Sequence, residues 1–278
     1  MRPEDIDRAA AYLAQADALV IAAGAGMGVD SGLPDFRGNA GFWQAYPALG
    51  RAAMDFTEVA SPRTFRTDPR LAWGFYGLRL ALYRQTVPHD GFAILRRWAE
   101  RLARRAFVFT SNVDGQFQRA GFAEEHVLEC HGSIHWLQCT VPCSDLVWHA
   151  AGVLPEIDAA ACRWRGEELP LCPRCGALAR PNILMFGDGA WVEHRASQQE
   201  ARLASWLRTA ARPVVIELGA GTAIASVRRF GEHVVHAHGG SLVRINPREA
   251  AVSMERAVGL EVGAREGLMT IDVRLGGG

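Results

Sequence analysis

Gly24-Ala-Gly-Met-Gly-Val-Asp-Ser-Gly-Leu-Pro-Asp-Phe-Arg-Gly38 is the stretch on which the reading of this chain turns. It follows directly on an apolar run, Ala18-Leu-Val-Ile-Ala-Ala23. A buried strand that ends in alternating glycines brings backbone N–H groups against a phosphate in open α/β folds. A dinucleotide loop would open a helix at this point. Instead a second turn, Ser31-Gly-Leu-Pro34, intervenes, and it is followed by Asp35, Phe36 and Arg37. The spacing is G-x-G-x-G, because Val29 stands where G-x-G-x-x-G places its last glycine. The acidic residue that pattern expects about 20 positions on is missing too, which argues against a hydride-transferring dehydrogenase. Two readings stand: a dinucleotide loop carrying its own lid over the reactive end, or three glycines (Gly24, Gly26, Gly28) that only make a tight turn.

Outward from this loop, residues 3–16 read as a helix, with Ile6, Ala9, Ala10, Leu13 and Ala14 at helical spacing. Residues 39–104 read as mostly helical, punctuated at Ser61-Pro62, Asp68-Pro69 and Pro88-His-Asp90. A second buried strand, Ala106-Phe-Val-Phe-Thr110, runs into Ser111-Asn-Val-Asp114. Polar residues clustered after a buried strand lie at its carboxyl end, where α/β sheets bind ligands. A short third strand, residues 127–130, leads to His131-Gly132; residues 136–182 read as irregular. Strand-like segments return at 182–186, 213–218 and 241–245, with a long polar helix between the first two. The stretch 259–268 precedes an expected terminal strand and a Gly-Gly-Gly tail.

The 278 residues carry 30 basic and 30 acidic side chains, so no electrostatic case exists for nucleic acid or an anionic membrane. No apolar run approaches the ~20 residues of a membrane span, and the polar, acidic N-terminus is unlike a signal peptide. The expected location is the cytoplasm. All 30 basic residues are arginine, so the protein has no lysine side chain of its own to modify.

Six cysteines in such a chain point to metal or redox chemistry. Cys139-x3-Cys143 and Cys172-x2-Cys175 form two short-spaced pairs, the pattern of a tetrahedral zinc site in which each knuckle supplies two thiolates. With no open ligand position, such a metal is structural. A redox pair at Cys172 and Cys175 is the rival reading, and Cys130 and Cys162 read as small buried side chains. His131, between a strand and a glycine, has the residue type that removes a proton near neutrality. Eight other histidines compete for that role.

Taken in order, these motifs resemble the sirtuins, the Sir2 family of NAD-dependent protein-lysine deacylases. The resemblance rests on Gly24-Ala-Gly with Ser31-Gly-Leu-Pro-Asp-Phe-Arg37, and on Thr110-Ser-Asn-Val-Asp114 with Ala120-Gly121. His131-Gly132, the two cysteine pairs, and Arg180-Pro with Phe186-Gly187 complete it. It spans residues 20 to about 250. It implies an α/β fold: a Rossmann-like parallel sheet with helices on both faces, plus a smaller lobe made of a helical module and a structural zinc module. The expected NAD-binding domain is 1–38, 105–135 and 183–278. The small lobe joins a helical module, 39–104, to a zinc-binding module, 136–182.

By the same resemblance, Gly24, Ala25, Gly26, Asp35, Phe36, Arg37, Ser111, Asn112, Asp114, Gly221, Thr222 and Asn246 would contact NAD. Phe36 would shield the nicotinamide ribose, and Asn112 and Asp114 would hold the ribose and the carboxamide. His131 would be the general base, with Asn112 beside it. In the family reaction an acyl-lysine carbonyl attacks the nicotinamide ribose and expels nicotinamide. His131 then deprotonates a ribose hydroxyl that attacks the imidate, giving free lysine and O-acyl-ADP-ribose. The partner is an acylated protein or peptide, lying as an added strand beside Phe186 and Gly187.

Tyr76 and Arg79, three apart on an expected helix, resemble the Tyr-x-x-Arg pair by which one sirtuin subgroup binds succinyl and malonyl groups. The other reading is an amphipathic helix whose arginine faces solvent. Several positions depart from the family: Gly28 and Ser111 replace a serine and a glutamine. Gln116-Phe117 replaces Leu-His, and Asp188 replaces a glutamate. Val29 is bulkier than the residue expected beside a large acyl pocket. Gly219-Ala-Gly-Thr-Ala223 aligns in two ways, with Gly221-Thr222 preferred. Two further readings remain: a mono-ADP-ribosyltransferase or NAD hydrolase, and a weakly catalytic NAD-sensing module.

Overall fold

The computed structural model describes residues 2–34 and 38–277, the side chains of 38–40 excepted. Asp35, Phe36 and Arg37 therefore lie outside the described residues. The chain opens with α1 (Pro3–Gln15), β1 (Ala18–Ala23) and a single helical turn, α2 (Gly26–Val29). Six helices follow: α3 (Gly38–Ala45), α4 (Pro47–Arg51), α5 (Phe56–Val59), α6 (Pro62–Thr67), α7 (Pro69–Gln85) and α8 (Asp90–Arg101). The punctuating prolines are their start signals. Pro62 and Pro69 occupy first-turn positions, where a missing N–H costs nothing, and the Asp68 carboxylate accepts the Leu71 N–H at 3.1 Å to cap α7.

The second half runs β2 (Ala106–Thr110), α9 (Gln116–Arg119), β3 (Val127–Glu129) and β4 (Gly132–Cys139). Four short strands come next: β5 (Val147–His149), β6 (Ile157–Asp158), β7 (Arg163–Trp164) and β8 (Ala179–Ile183). The chain closes with α10 (His194–Leu207), β9 (Pro213–Leu218), α11 (Ser226–His238), β10 (Ser241–Ile245), β11 (Ala257–Leu260) and α12 (Ala264–Arg274).

Six strands form one parallel sheet in the order β11-β10-β9-β1-β2-β3. The order reverses between β1 and β9, whose registers pair Ala18 with Pro213 and Ala23 with Leu218. This is the strand order of dinucleotide-binding folds, and the crevice at such a switch point is where they take ligands. Strand β1 is buried along its whole length because it has neighbours on both edges and helices on both faces, which is why it reads as an unbroken apolar run.

Alternation along the strands assigns the two faces. Leu19 and Ile21 point to α1, α8 and α12, packing with Leu13, Leu95, Trp98, Leu268 and Ile271. Val20 and Ala22 point the other way, to Leu203 and Leu207 of α10 and Val227 and Val234 of α11. Helix α8, within the stretch expected to belong to the helical module, thus packs on the parallel sheet.

A third core joins α3–α7 to the cysteine-rich segment. Phe42, Phe65, Trp73, Phe75, Tyr76 and Leu80 pack with Ile134, Leu137, Cys162, Trp164 and Ile183. The Trp73 indole N–H donates to the Ala179 carbonyl at 2.9 Å. Gly74 lies so close to the Cys162 carbonyl that a Cβ would sit 2.0 Å from its oxygen.

Three expectations need correction. Residues 136–182 are not simply irregular: β4 pairs antiparallel with both β5 and β8, and β6 pairs with β7. The strand expected at 182–186 ends at Ile183 and belongs to this small sheet. The expected terminal strand is helix α12, whose Ala264, Leu268 and Ile271 recur at helical spacing on the buried side.

Candidate active site at the switch point

The loops after β1 and β9 meet backbone to backbone. The Gly26 N–H donates to the Gly219 carbonyl at 3.1 Å, and the Gly24 N–H to that of Leu218 at 2.9 Å. A Cβ on Gly219 would lie 2.3 Å from the Gly26 Cα, and Gly219 has φ +59°. Gly221 differs, since the nearest atom to its added Cβ is a Glu249 oxygen at 3.9 Å. Gly219 therefore lets the loops touch, while Gly221 and Thr222 face the space between them.

That space is a cavity of about 790 Å³, within the size range of small-molecule sites. Its walls include Gly24, Ala25, Ser111, Asn112, Asp114, His131, Gly221 and Thr222 from the expected cofactor residues. Tyr76, Arg79 and Phe186 of the expected substrate residues line it as well. Gly26 and Asn246 support it from behind. The Asn246 amide donates to the Ala220 carbonyl at 2.8 Å, and its oxygen accepts the Arg248 and Glu249 N–H groups at 3.0 Å. Gly187 has φ +64° and completes the turn after Phe186.

Asn112 stands at the end of β2, its amide donating to the Gly24 carbonyl at 3.0 Å. Asp114, one turn further, accepts the Gln116 N–H at 2.9 Å. Burial pushes its carboxyl up to about 6; the Gln116 bond works against that, while the nearby Glu129 charge adds to it. The His131 Nε2 faces the Ser226 hydroxyl at 3.5 Å. Burial lowers the His131 pKa, with a backbone bond at Ser111 acting in the opposite direction, so the imidazole is neutral at pH 7.

On α7, Arg79 is only 7% exposed, and the solvent-facing alternative for it fails. Its Nε and Nη2 donate to the Tyr83 hydroxyl at 3.0 and 2.9 Å. Burial opposes the charge on Arg79, but Tyr83, Tyr46 and Tyr76 outweigh it and raise the pKa, so the guanidinium stays charged. Val29, expected to crowd this region, is 41% exposed and is not part of the cavity wall.

The segment 184–188 closes the wall. The Leu184 N–H donates to the His131 carbonyl at 2.9 Å and the Phe186 N–H to that of Ala60 at 3.1 Å. Behind it, Arg180 and Asp188 form a buried two-point ion pair at 2.7 and 2.9 Å. Asp188 also accepts the N–H groups of Met185 and Ala190, so this one carboxylate sets the course of the loop.

Away from the cavity, the four cysteine Sγ atoms of 139, 143, 172 and 175 all lie within 4.8 Å of one another. Cys139 to Cys175 and Cys143 to Cys172 are each 3.7 Å. Four thiolates about 2.3 Å from a tetrahedral zinc ion stand about 3.8 Å apart, close to the spacing of these two pairs, so the donor set fits that metal. Gly176, at φ +73°, turns the second knuckle, donating its N–H to the Cys172 carbonyl.

The sequence profile of the Sir2 family matches residues 24–207, well over half of the chain. The protein belongs to the Sir2 family. A relative from Pyrococcus furiosus named NAD-dependent protein deacylase is 30% identical over 242 residues, 87% of this chain and 86% of its own. A Thermococcus sibiricus relative of the same name is 28% identical over 250 residues, covering 89% and 88%. The zebrafish protein named NAD-dependent protein deacylase sirtuin-5, mitochondrial, is 31% identical over 64% of this chain and 59% of its own. Among solved structures, a Sir2 homolog–NAD complex superposes with TM-score 0.72 at 24% identity, covering 97% of this chain and 94% of that one.

Within this Sir2 chain, a Cβ at Gly28 would meet the Leu33 Cδ1 at 2.9 Å, a contact that the end of a flexible leucine side chain can yield to. Reading the sequence also missed cavity residues. Tyr83 is four residues after Arg79, a spacing that places both on one helical face. Arg248 and Glu249, just past Asn246, line the cavity too. Nothing local marks Ala60 or Met185, which tertiary packing brings to the wall.

Proposed function

We propose that this protein removes acyl groups from protein lysine side chains with NAD as co-substrate, yielding nicotinamide and O-acyl-ADP-ribose. The observation that carries this reading is a single cavity at the sheet's switch point in which His131, Asn112 and Asp114 face two abutting glycine loops. NAD supplies an activated ribose. Gly24, Ala25, Gly221 and Thr222 hold it, with Gly26 and Asn246 fixing the loop geometry. Asn112, tethered to Gly24, and Asp114 orient the ribose and the carboxamide. The neutral imidazole of His131 accepts a proton from a sugar hydroxyl. Leu33, Phe56, Ile183 and Phe186 exclude water from the reacting carbon.

We assign the acyl end of the substrate to Tyr76 and Arg79, which suits succinyl or malonyl groups beside acetyl. A buried guanidinium lining a substrate cavity is a carboxylate partner. The peptide runs beside Phe186 and Gly187. Zinc, held by Cys139, Cys143, Cys172 and Cys175, has a structural role. We divide the chain into an NAD-binding unit, 1–38, 105–135 and 183–278 together with α8, and a smaller lobe from the rest of 39–104 and 136–182. Four free thiols gathered as metal ligands suit a reducing compartment, and we place the protein in the cytoplasm. No described helix is long and apolar enough to cross a membrane.

The test is a mass-spectrometric assay of the zinc-loaded protein with NAD and acetyl-, succinyl- and malonyl-lysine peptides. Deacylated peptide with O-acyl-ADP-ribose supports the proposal. ADP-ribose without peptide change would transfer the reading to NAD hydrolysis, and NAD binding without turnover to a sensor.

A further inference from the structure

The mode of holding Arg79 leaves one donor over. The Tyr83 oxygen accepts two N–H groups from the guanidinium, at 3.0 and 2.9 Å. A phenol oxygen so engaged keeps its own proton to donate. Among the described residues that proton has no acceptor, since the bonds to Arg79 are the hydroxyl's only ones. Asp114 acts on Tyr83 through its charge without bonding to it. Tyr83 is 5% exposed yet lines the cavity beside Tyr76 and Arg79. Its position is itself fixed, because the Gln116 amide donates to the Tyr83 carbonyl at 3.3 Å.

A buried O–H without an acceptor is costly, and a ligand that supplies an acceptor removes that cost. The cation polarises the phenol, which makes the O–H a stronger donor than a tyrosine facing water. The Arg79 cation favours an anionic acceptor, since it is within 3 Å of the phenol oxygen and is held among the rings of Phe75, Tyr76 and Tyr83 at 5.3, 5.7 and 5.4 Å from their centres, while the Asp114 charge works against it from further off.

We propose that Tyr83 is a specificity-determining residue whose hydroxyl donates a hydrogen bond to the terminal carboxylate of an acidic acyl chain. It completes a site in which Arg79 supplies charge and Tyr83 supplies direction. This rests on the assignment of the acyl end to Tyr76 and Arg79. An acetyl group ends in a methyl and has nothing to offer the phenol, so Tyr83 separates acyl classes rather than serving all of them.

The experiment compares Tyr83→Phe with wild type in full steady-state kinetics on acetyl-, succinyl- and glutaryl-lysine peptides of one sequence. Melting temperatures establish that the fold is retained. Losing one hydrogen bond to a charged group predicts a fall in kcat/KM on the order of 10- to 100-fold for the succinyl peptide, carried by KM, against under about threefold for acetyl. Equal losses on both peptides, or a loss confined to kcat, would make Tyr83 a general support of the cavity wall and overturn the inference. A Tyr83→Phe/Arg79→Met double variant that loses no more succinyl activity than Arg79→Met alone would make it only a support for Arg79, with the same consequence. Wild-type protein that deacetylates but never desuccinylates would also overturn it, leaving the deacylase reading standing. Wild-type protein that removes no acyl group would remove the function itself.

Discussion

Gly219→Ala offers the sharpest test of how the site is built, with Gly221→Ala as its control. At Gly219 the new methyl meets two obstacles. The left-handed backbone, φ +59°, costs a residue with a Cβ about 1–2 kcal/mol. The Cβ would also stand 2.3 Å from the Gly26 Cα, an overlap with backbone that no rotamer relieves. Overpacking of this kind costs about 1–3 kcal/mol. The sum, roughly 2–5 kcal/mol, is expected to lower Tm by about 5–15 °C in a chain of this size. To relieve the contact the two loops must part by about 1 Å, and displacements of that size cost on the order of 100-fold in rate. Gly221→Ala meets nothing closer than 3.9 Å, so its Tm is expected to stay within a degree or two. Calorimetric melting together with NAD titration of both variants reads the two effects separately. A Gly219→Ala protein that melts and binds NAD like wild type would refute the loop-contact argument. So would a Gly221→Ala protein destabilised as much as its neighbour.

His131→Ala is expected to abolish deacylation while leaving NAD affinity within about threefold, because in the proposed reaction the imidazole moves a proton rather than anchoring the ligand. The acid limb of kcat/KM for wild type should fall below the ordinary histidine range, since burial lowers the His131 pKa and the base works only when neutral. The same direction holds for His89 and His135, which burial also lowers. Their neutral folded forms contribute stability that is present above about pH 6.5 and lost as pH falls through the folded values, a trend that urea titrations at pH 7.5, 6.5 and 5.5 can follow. Stripping zinc with a chelator should shift tryptophan emission as well as release metal, because Trp73 and Trp164 share the core that the cysteine segment completes. Metal release with unchanged emission would show that the core stands without it. Arg79→Met is expected to lower desuccinylation by at least tenfold more than deacetylation, measured on paired peptides.

Much of the parallel sheet was legible because its strands are buried on both faces. The runs at 18–23, 106–110, 213–218 and 241–245 announce themselves by composition alone, and each structural strand matches within a residue. The small sheet was not legible. Its strands are three to eight residues long, and β4 mixes Ile134 and Leu137 with His135 and Gln138 in no simple alternation. Its register also shifts between Ser133 and Leu137. What organises that segment is the cysteine cluster and a shared core with α7, neither of which leaves a periodic trace. The terminal helix was missed for a different reason: the β-branched Thr270, Ile271 and Val273 have strand-like propensity and Gly267 is a poor helix former, which burial of one helical face overrides. In the cavity, residues at strand ends were readable, whereas Tyr83 needed the helix geometry and Gly219 needed the facing loop.

The pairing of β1 with β9 carries a consequence for biogenesis. Ala18 finds Pro213 only after three quarters of the chain has been synthesised, and the Gly26–Gly219 contact forms later still. The central strand therefore waits with one edge unpaired while the intervening segments fold, a closure with a slow, non-local character. No ribosome-bound fragment ending before residue 219 can assemble the pocket. The nascent protein cannot consume NAD until its last quarter has docked, and during that interval the naked edge of β1 is the place where a chaperone, or a second nascent chain, would engage it.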